Sequence, residues 1–285
     1  MNQILFTGGS GLVGSNVVPL LRQKYQILAP TRKELDLMDS AAVEQYVDEH
    51  HVDLVFHSAN PNPVKNVLDQ NNPMLRGSLR CFMNFYRIRH KLKHFYFFGS
   101  GAELDKTRDM NLITEEEFDR SIPQDDYGFA KYIMTTLARQ SDNVTNLRLF
   151  ACYGPGDWES KFITHCIRSV VAGQNITIRQ DCYFDYLQVF DLVPIISHFI
   201  EYGATHSEYN ICTGTRVRLS EIAETVLRLM DSPLSVKILI PGMNKEYTAS
   251  NARLLGEMDG FRFTTLEDGI KIQIASEKEQ TETKH

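Results

Sequence analysis

Thr7-Gly8-Gly9-Ser10-Gly11-Leu12-Val13-Gly14 follows an apolar run, Ile4-Leu5-Phe6, and precedes a segment with helical periodicity. Its glycines satisfy G-x-G-x-x-G read from Gly9 and G-x-x-G-x-x-G read from Gly8. At a strand-to-helix junction such a turn reverses the chain sharply and brings backbone N–H groups against a pyrophosphate. It also lets the helix pack tightly on the strand. The helix N-terminus adds the positive end of its dipole. Gly8, Gly9, Ser10, Gly11, Leu12, Val13 and Gly14 are therefore candidate dinucleotide-binding residues. The alternative is a glycine-rich turn that holds no ligand.

Outward from this loop, the first half alternates short apolar runs with helical patterns, the mark of a parallel doubly wound α/β sheet. Strands are expected near 3–7, 26–29, 52–57, 94–98 and 144–150, and helices near 12–24, 40–50, 72–92 and 127–140. Gly154-Pro155-Gly156 then breaks the pattern. Beyond it helices are expected near 161–172, 191–202, 219–230 and 266–275, mixed with strands near 175–178, 208–211 and 236–239. The organisation that follows is a Rossmann-like domain over 1–155, with 187–211 returning to it. A smaller mixed α/β lobe covers 156–186 and 212–275, and a polar, frayed tail covers 276–285.

The 285 residues are 42% hydrophobic and 23% charged, an ordinary globular balance. No apolar run approaches the roughly 20 residues a membrane helix needs. The strand-length run at the start lacks the basic flank of a signal peptide. A net charge of −6 without a basic stripe speaks against a nucleic-acid partner. The five cysteines form no C-x-x-C pair, so neither a zinc site nor a disulfide framework is expected. The expectation is a cytoplasmic protein with no metal.

Dinucleotide sites for NAD end the second strand with an acid that binds the ribose 2′-OH. Here that region reads Leu28-Ala29-Pro30-Thr31-Arg32-Lys33. A cation suits a 2′-phosphate, so Arg32 favours NADP over NAD, the alternative being that both bases are solvated loop residues. Tyr127-Gly128-Phe129-Ala130-Lys131 opens a helix, and positions i and i+4 share a face. A cation beside a phenol favours the phenolate, as a proton donor to a carbonyl oxygen requires. Gly99-Ser100-Gly101 ends the strand Phe95-Tyr96-Phe97-Phe98, where open α/β sheets bind ligands. Ser100, Tyr127 and Lys131 are the candidate catalytic residues for carbonyl–alcohol hydride transfer.

With these pieces in order, the chain resembles the extended short-chain dehydrogenase/reductase family, of the NAD-dependent epimerase/dehydratase type, over nearly its whole length. Val55-Phe56-His57-Ser58-Ala59-Asn60, Tyr153-Gly154-Pro155-Gly156, Phe184-Asp185-Tyr186-Leu187 and Tyr209-Asn210-Ile211 also carry the resemblance. Glu34-Leu35-Asp36-Leu37-Met38-Asp39 is similar to the branch of 4-keto-6-deoxysugar epimerase/reductases. The resemblance implies a nucleotide-sugar substrate and a homodimer built on the helices near 72–92 and 127–140. It adds Asp36, Leu37, Ser58, Ala59 and Asn60 to the cofactor site, and gives Tyr127 and Lys131 contact with the cofactor. On the substrate side it points to Ala102, Lys161, Arg179 and Phe184. Dehydratases of the family carry Asp-Glu after the catalytic Ser or Thr, where this chain has Gly101-Ala102, with Glu103 one place late. Sugar epimerases of the fucose type carry Cys at the place of Ala102, and a His at the place held here by Lys161, with His165 one turn onward. The family's arginine before Asp-Tyr is replaced by Phe184, which leaves Arg179, Arg216 or Arg218 to meet a diphosphate. The implied activity is reduction of a nucleotide-linked 4-keto sugar. The alternatives are a 4-epimerase with tightly held NAD and a non-catalytic dinucleotide-binding sensor.

Overall fold

The structure is a computed structural model that describes residues 2–61 and 74–282. In chain order its strands are β1 (Gln3–Thr7), β2 (Gln26–Leu28), β3 (Leu54–His57), β4 (His94–Ser100), β5 (Met110–Ile113), β6 (Val144–Leu149), β7 (Ile176–Asp181), β8 (Tyr183–Phe184), β9 (Glu208–Ile211), β10 (Val217–Arg218), β11 (Val236–Met243) and β12 (Tyr247–Ala249). Its α-helices are α1 (Leu12–Leu21), α2 (Ser40–Glu49), α3 (Met74–Arg87), α4 (Asp126–Ala138), α5 (Phe162–Val171), α6 (Leu192–Tyr202), α7 (Leu219–Leu229), α8 (Ala252–Glu257) and α9 (Leu266–Glu282).

Two compact units divide the chain. The first holds 1–106, 114–149 and 192–211, and the second holds 107–113, 150–191 and 212–285. In the first, six parallel strands run in the order β2-β1-β3-β4-β6-β9. The chain leaves β1 for β2 on one side and returns to β3 on the other. The strand order therefore reverses between β1 and β3, and their carboxyl ends frame the crevice where such sheets take a ligand. Val55, Phe95 and Phe97 from the sheet pack with Phe82 and Phe85 of α3 and Met134 of α4 in one buried cluster. The strands here are buried nearly throughout because both faces are covered.

The second unit is mixed. β8 pairs antiparallel with β10 and parallel with β12, and β12 pairs parallel with β5. β7 and β11 make a separate parallel pair. Ile163, Ile167, Ile176, Ile178, Ile222, Val226 and Ile270 form its core. β5 explains why 107–113 belong to this unit: its ladder partner lies about 140 residues away, and four-residue strands carry no legible alternation.

Two sequence expectations are corrected. The helix expected over 72–92 ends at Arg87, where Ile88 N–H donates to Phe85 O and a 3₁₀ turn, Arg89–Lys91, follows. Its first two expected residues, Asn72 and Pro73, lie outside the described residues. The tail expected to fray from Ser276 is helical to Glu282. Glu277 is buried there and accepts from Arg168 Nε at 2.7 Å, so a charge that reads as solvated is in fact tied to α5. Residues 283–285 of that tail lie outside the described residues. Among the described residues, no helix is long and apolar enough to cross a membrane.

Candidate active site

Gly8 adopts φ +75°, and Gly11 N–H closes the turn on Gly8 O at 3.0 Å. A Cβ on Gly8 would lie 2.8 Å from Ala59 N, and one on Gly14 would overlap Gly8 O and lie 2.6 Å from Gly9 Cα. Loop, helix and the end of β3 thus meet backbone to backbone, which only glycine permits. Gly11 is the N-cap of α1 and brings no side chain to the first-turn N–H groups. Those groups, including the ones of Leu12, Val13 and Gly14, remain for an anion. Ser10 and Gly11 are exposed at this end.

Thr7 Oγ1 accepts from Ala59 N–H at 3.3 Å and sits 2.8 Å from His57 Nδ1. Ser58 N–H donates to Thr7 O at 3.3 Å. These bonds tie Ser58 and Ala59 to the glycine loop. Burial, with a smaller contribution from the Lys131 charge, pushes His57 down to about 3. The ring is therefore a neutral strut and cannot act as a base in the physiological range. Asn60 Oδ1 is buried and makes no hydrogen bond among the described residues. An open helix N-terminus and an unsatisfied amide oxygen at the mouth of the β1–β3 crevice fit a dinucleotide.

After β2, the acids turn inward on their own backbone. Glu34 Oε2 accepts from Thr31 N–H at 2.7 Å and Asp36 Oδ1 from Met38 N–H at 2.9 Å. Leu37 O accepts from Asn84 Nδ2 at 2.8 Å, which anchors the loop to α3. Arg32 is exposed, and it and Asp36 lie near enough to Cys81 to bias its thiol in opposite directions; burial is the larger cause and pushes that thiol up to about 11.

Asp125 caps α4 by accepting from Gly128 N–H at 3.0 Å, so the helix begins one residue before Tyr127. Lys131 Nζ donates to Phe98 O at 2.7 Å and lies 5.9 Å from the Tyr127 ring centroid. Tyr127 packs with Ala102 and Met74 in a small buried cluster. Ser100 Oγ accepts from Ala102 N–H at 3.3 Å, so its own hydroxyl proton is left to donate. Gly128 lets these parts meet, since a Cβ there would lie 2.6 Å from Ala102 O and 2.8 Å from Pro123 Cβ. The carboxyl end of β4 thus gathers Ser100, Tyr127, Lys131 and Ala102.

Glu103 does not face that cluster. It is fully buried, with Oε1 accepting from Thr135 Oγ1 at 3.1 Å, Asn146 Nδ2 at 2.7 Å and Arg148 Nε at 2.5 Å. Its Oε2 accepts from Ser100 N–H at 3.4 Å. Burial raises its carboxyl and Arg148 opposes the rise. In the sequence this residue stood out only as one place late for the Asp-Glu of the family's dehydratases. The signal that could have placed it was Arg148, a charge inside the otherwise buried strand Val144–Leu149.

The remaining substrate candidates lie in the second unit. Lys161 is the exposed N-cap of α5, and His165 is exposed one turn on. Phe184 stacks on Tyr186 at 5.6 Å and meets Tyr247 at 5.1 Å. Arg216 is held by both oxygens of Glu246 at 2.7 Å, and Arg218 by Glu221 at 3.1 Å. Arg179, exposed on β7, makes no ion pair among the described residues.

Residues 4–212 match the model of the NAD dependent epimerase/dehydratase family. The chain belongs to this family. Members are NAD(P)-dependent enzymes that modify nucleotide sugars by reduction, epimerisation or dehydration. The chain is 24% identical over 250 residues to a GDP-6-deoxy-D-talose 4-dehydrogenase of Aggregatibacter actinomycetemcomitans, covering 82% of each protein. In fold it is similar to an NADP-bound GDP-L-fucose synthetase of Naegleria fowleri, with a TM-score of 0.83 and 18% identity over 99% of this chain and 95% of that one. A UDP-glucose 4-epimerase of Thermotoga maritima also has a TM-score of 0.83, at 22% identity, with 99% and 100% covered. In this epimerase/dehydratase chain the dinucleotide loop and the Tyr–Lys helix both fall inside the matched span.

Proposed function

We propose that this enzyme reduces the keto group of a nucleotide-linked 4-keto(-6-deoxy) sugar, with NADP as its dinucleotide and Ser100, Tyr127 and Lys131 as catalytic residues. The observation that carries the reading is the gathering of these three side chains beside Ala102, with Glu103 turned away into the core. Reduction needs one proton donor at the carbonyl oxygen. Dehydration or epimerisation beside the carbonyl needs a further acid or base near the ring carbons, and Ala102 offers none.

The glycine loop and the open end of α1 hold the pyrophosphate, and Ser58, Ala59 and Asn60 line the other side of the crevice. Arg32, one of two exposed cations in the β2 loop with Lys33, is the proposed contact to a 2′-phosphate, and Glu34 and Asp36 are engaged by backbone N–H groups. The bound dinucleotide supplies the hydride. Ser100 donates its hydroxyl hydrogen to the sugar carbonyl oxygen and orients it. Tyr127 passes its phenolic proton to that oxygen as the C–H bond forms, and Lys131 holds positive charge beside the phenolate left behind. Phe98 O fixes the lysine so that the charge is in place before the substrate arrives. On the second unit, Lys161, Arg179 and Phe184 are the proposed contacts to the nucleotide-sugar. Arg179 is the better candidate for a diphosphate than Arg216 or Arg218, whose charges are already paired.

The test is turnover with NADPH and NDP-4-keto-6-deoxy sugars, set against the Tyr127→Phe variant. Oxidation of NADPH is expected for the native enzyme. The variant should lose about 10²–10⁴-fold in kcat while binding NADPH unchanged. Purified protein that carries NAD and interconverts 4-epimers without net cofactor turnover would overturn the reductase reading.

A further inference from the structure

We infer that Glu103 is a positioning residue: its buried carboxylate fixes Ser100, and Arg148 fixes Glu103. The inference rests on Ser100 being the serine that meets the carbonyl oxygen. Ser100 stands at the junction of β4 with the 3₁₀ turn Gly101–Leu104 and caps that turn. The turn bonds reciprocally: Ala102 N–H donates to Ser100 Oγ at 3.3 Å, and Ser100 N–H donates to Glu103 Oε2 at 3.4 Å. Both bonds weaken if the carboxylate swings, since side chain and backbone of the serine belong to one closed ring. On its own a glutamate three residues on would be free to swing.

What prevents this is the other oxygen. Glu103 Oε1 takes three donors, from Thr135 on α4, Asn146 on β6 and Arg148 on β6. Asn146 Nδ2 also lies 2.7 Å from Thr135 Oγ1. Arg148, likewise fully buried, is gripped on its other side by Glu208, and by Asn210 Oδ1 at 2.8 Å, both on β9. Arg139 at the end of α4 gives Glu208 a second cation at 2.6 Å. Arg148 thus stands between two buried carboxylates, Glu103 and Glu208, while the exposed Arg139, which also meets Asp119 at 3.1 Å, adds a second cation to Glu208, so the buried charges are tolerated only as a set.

The geometry has a functional consequence. Thr135 sits one helical turn beyond Lys131 on α4, and Asn146 and Arg148 lie on the strand that pairs with β4 in the register Phe97↔Asn146 and Gly99↔Arg148. The carboxylate therefore references Ser100 to both the helix that carries Tyr127 and Lys131 and the neighbouring strand. An acid at this place serves the serine through the backbone and never touches substrate.

The experiment compares wild type, Glu103→Gln, Ser100→Ala and the double variant for kcat, KM, NADPH affinity and thermal stability. Gln keeps the shape but sets an NH₂ group against either Ser100 N–H or the donors on Oε1. Glu103→Gln is expected to lower kcat at least ~10-fold with KM and NADPH affinity within about 2-fold, and to slow the Ser100→Ala enzyme by less than about 2-fold. An equal loss in both backgrounds, or kcat retained within 2-fold, would overturn the inference. If Glu103→Gln does not fold, the Glu103→Met/Arg148→Met pair removes that buried ion pair as a unit and leaves Glu208 paired with Arg139. That protein is expected to be folded but as slow as Ser100→Ala. A folded pair with wild-type kcat would show a structural role alone. Amide exchange of residues 99–102 reads the same placement without any substrate. Unchanged protection in whichever of these variants folds would overturn the inference, whereas absent turnover by the wild type would overturn only the proposed reaction.

Discussion

Tyr127 and Lys131 owe their meeting to helical spacing, but the chemistry around them is set by what each neighbour cannot do. His57, close enough to feel the Lys131 charge, is held neutral by burial, with its pKa at about 3, and His94 likewise lies at about 4. Both are ordinary histidines near 6.5 when unfolded. The folded state binds fewer protons than the unfolded state in this window. Stability from these rings is therefore fully present above about pH 6.5 and is lost as pH falls towards 4 and then 3, at about 1.4 kcal/mol per pH unit for each ring. In NMR spectra of the imidazole C–H groups, His57 and His94 should keep neutral-ring shifts from pH 8 down to about 5. A midpoint near 6.5 for either would contradict this burial.

Among the elements, the 3₁₀ turn after β4 and the first turn of α4 form one device. They approach so closely at Gly128 that a methyl group would press on Ala102 O and Pro123. Gly128→Ala should cost about 1–3 kcal/mol in stability through overpacking. Because the strain falls on the turn that carries Ser100, kcat should drop by about 10-fold or more while NADPH affinity holds. Calorimetry and steady-state kinetics check both parts. Loss of NADPH affinity with normal kcat would mean that the contact serves the cofactor loop instead. The glycine at position 128 was visible in the sequence, yet nothing local reveals its partner, because Ala102 lies 26 residues earlier and the contact is backbone to backbone.

For the whole molecule, the carboxyl-terminal helix matters beyond the point where its apolar pattern stops. Ile270 and Ile274 enter the second unit's core, and Gln273 and Glu277 are buried with them. Gln273 Nε2 donates to Thr164 Oγ1 at 3.2 Å, and Arg168 closes on Glu277 at 2.7 Å. Removing residues 276–285 should therefore destabilise the protein by about 1–3 kcal/mol, the cost of stripping partners from buried polar groups. Thermal or urea unfolding measures this. A truncated chain as stable as the full one would restore the picture of an idle tail.

The parallel sheet, the glycine loop and the Tyr–Lys helix were legible from residues 3–149 because each is a local pattern: a strand, a turn and a helix in direct succession. Ser100 was legible for the same reason, standing where an apolar strand ends. The short strands β5, β8, β10 and β12 were not, since two to four residues carry too little periodicity and their partners are distant in sequence. Glu103 shows the limit most clearly. The sequence showed only that it stands one place late for the family's Asp-Glu; its direction depends on Arg148 and Glu208, which come 45 and 105 residues later and need it to balance charge in a buried core. Local chemistry thus determined which groups the chain owns, and tertiary electrostatics decided which way each one faces.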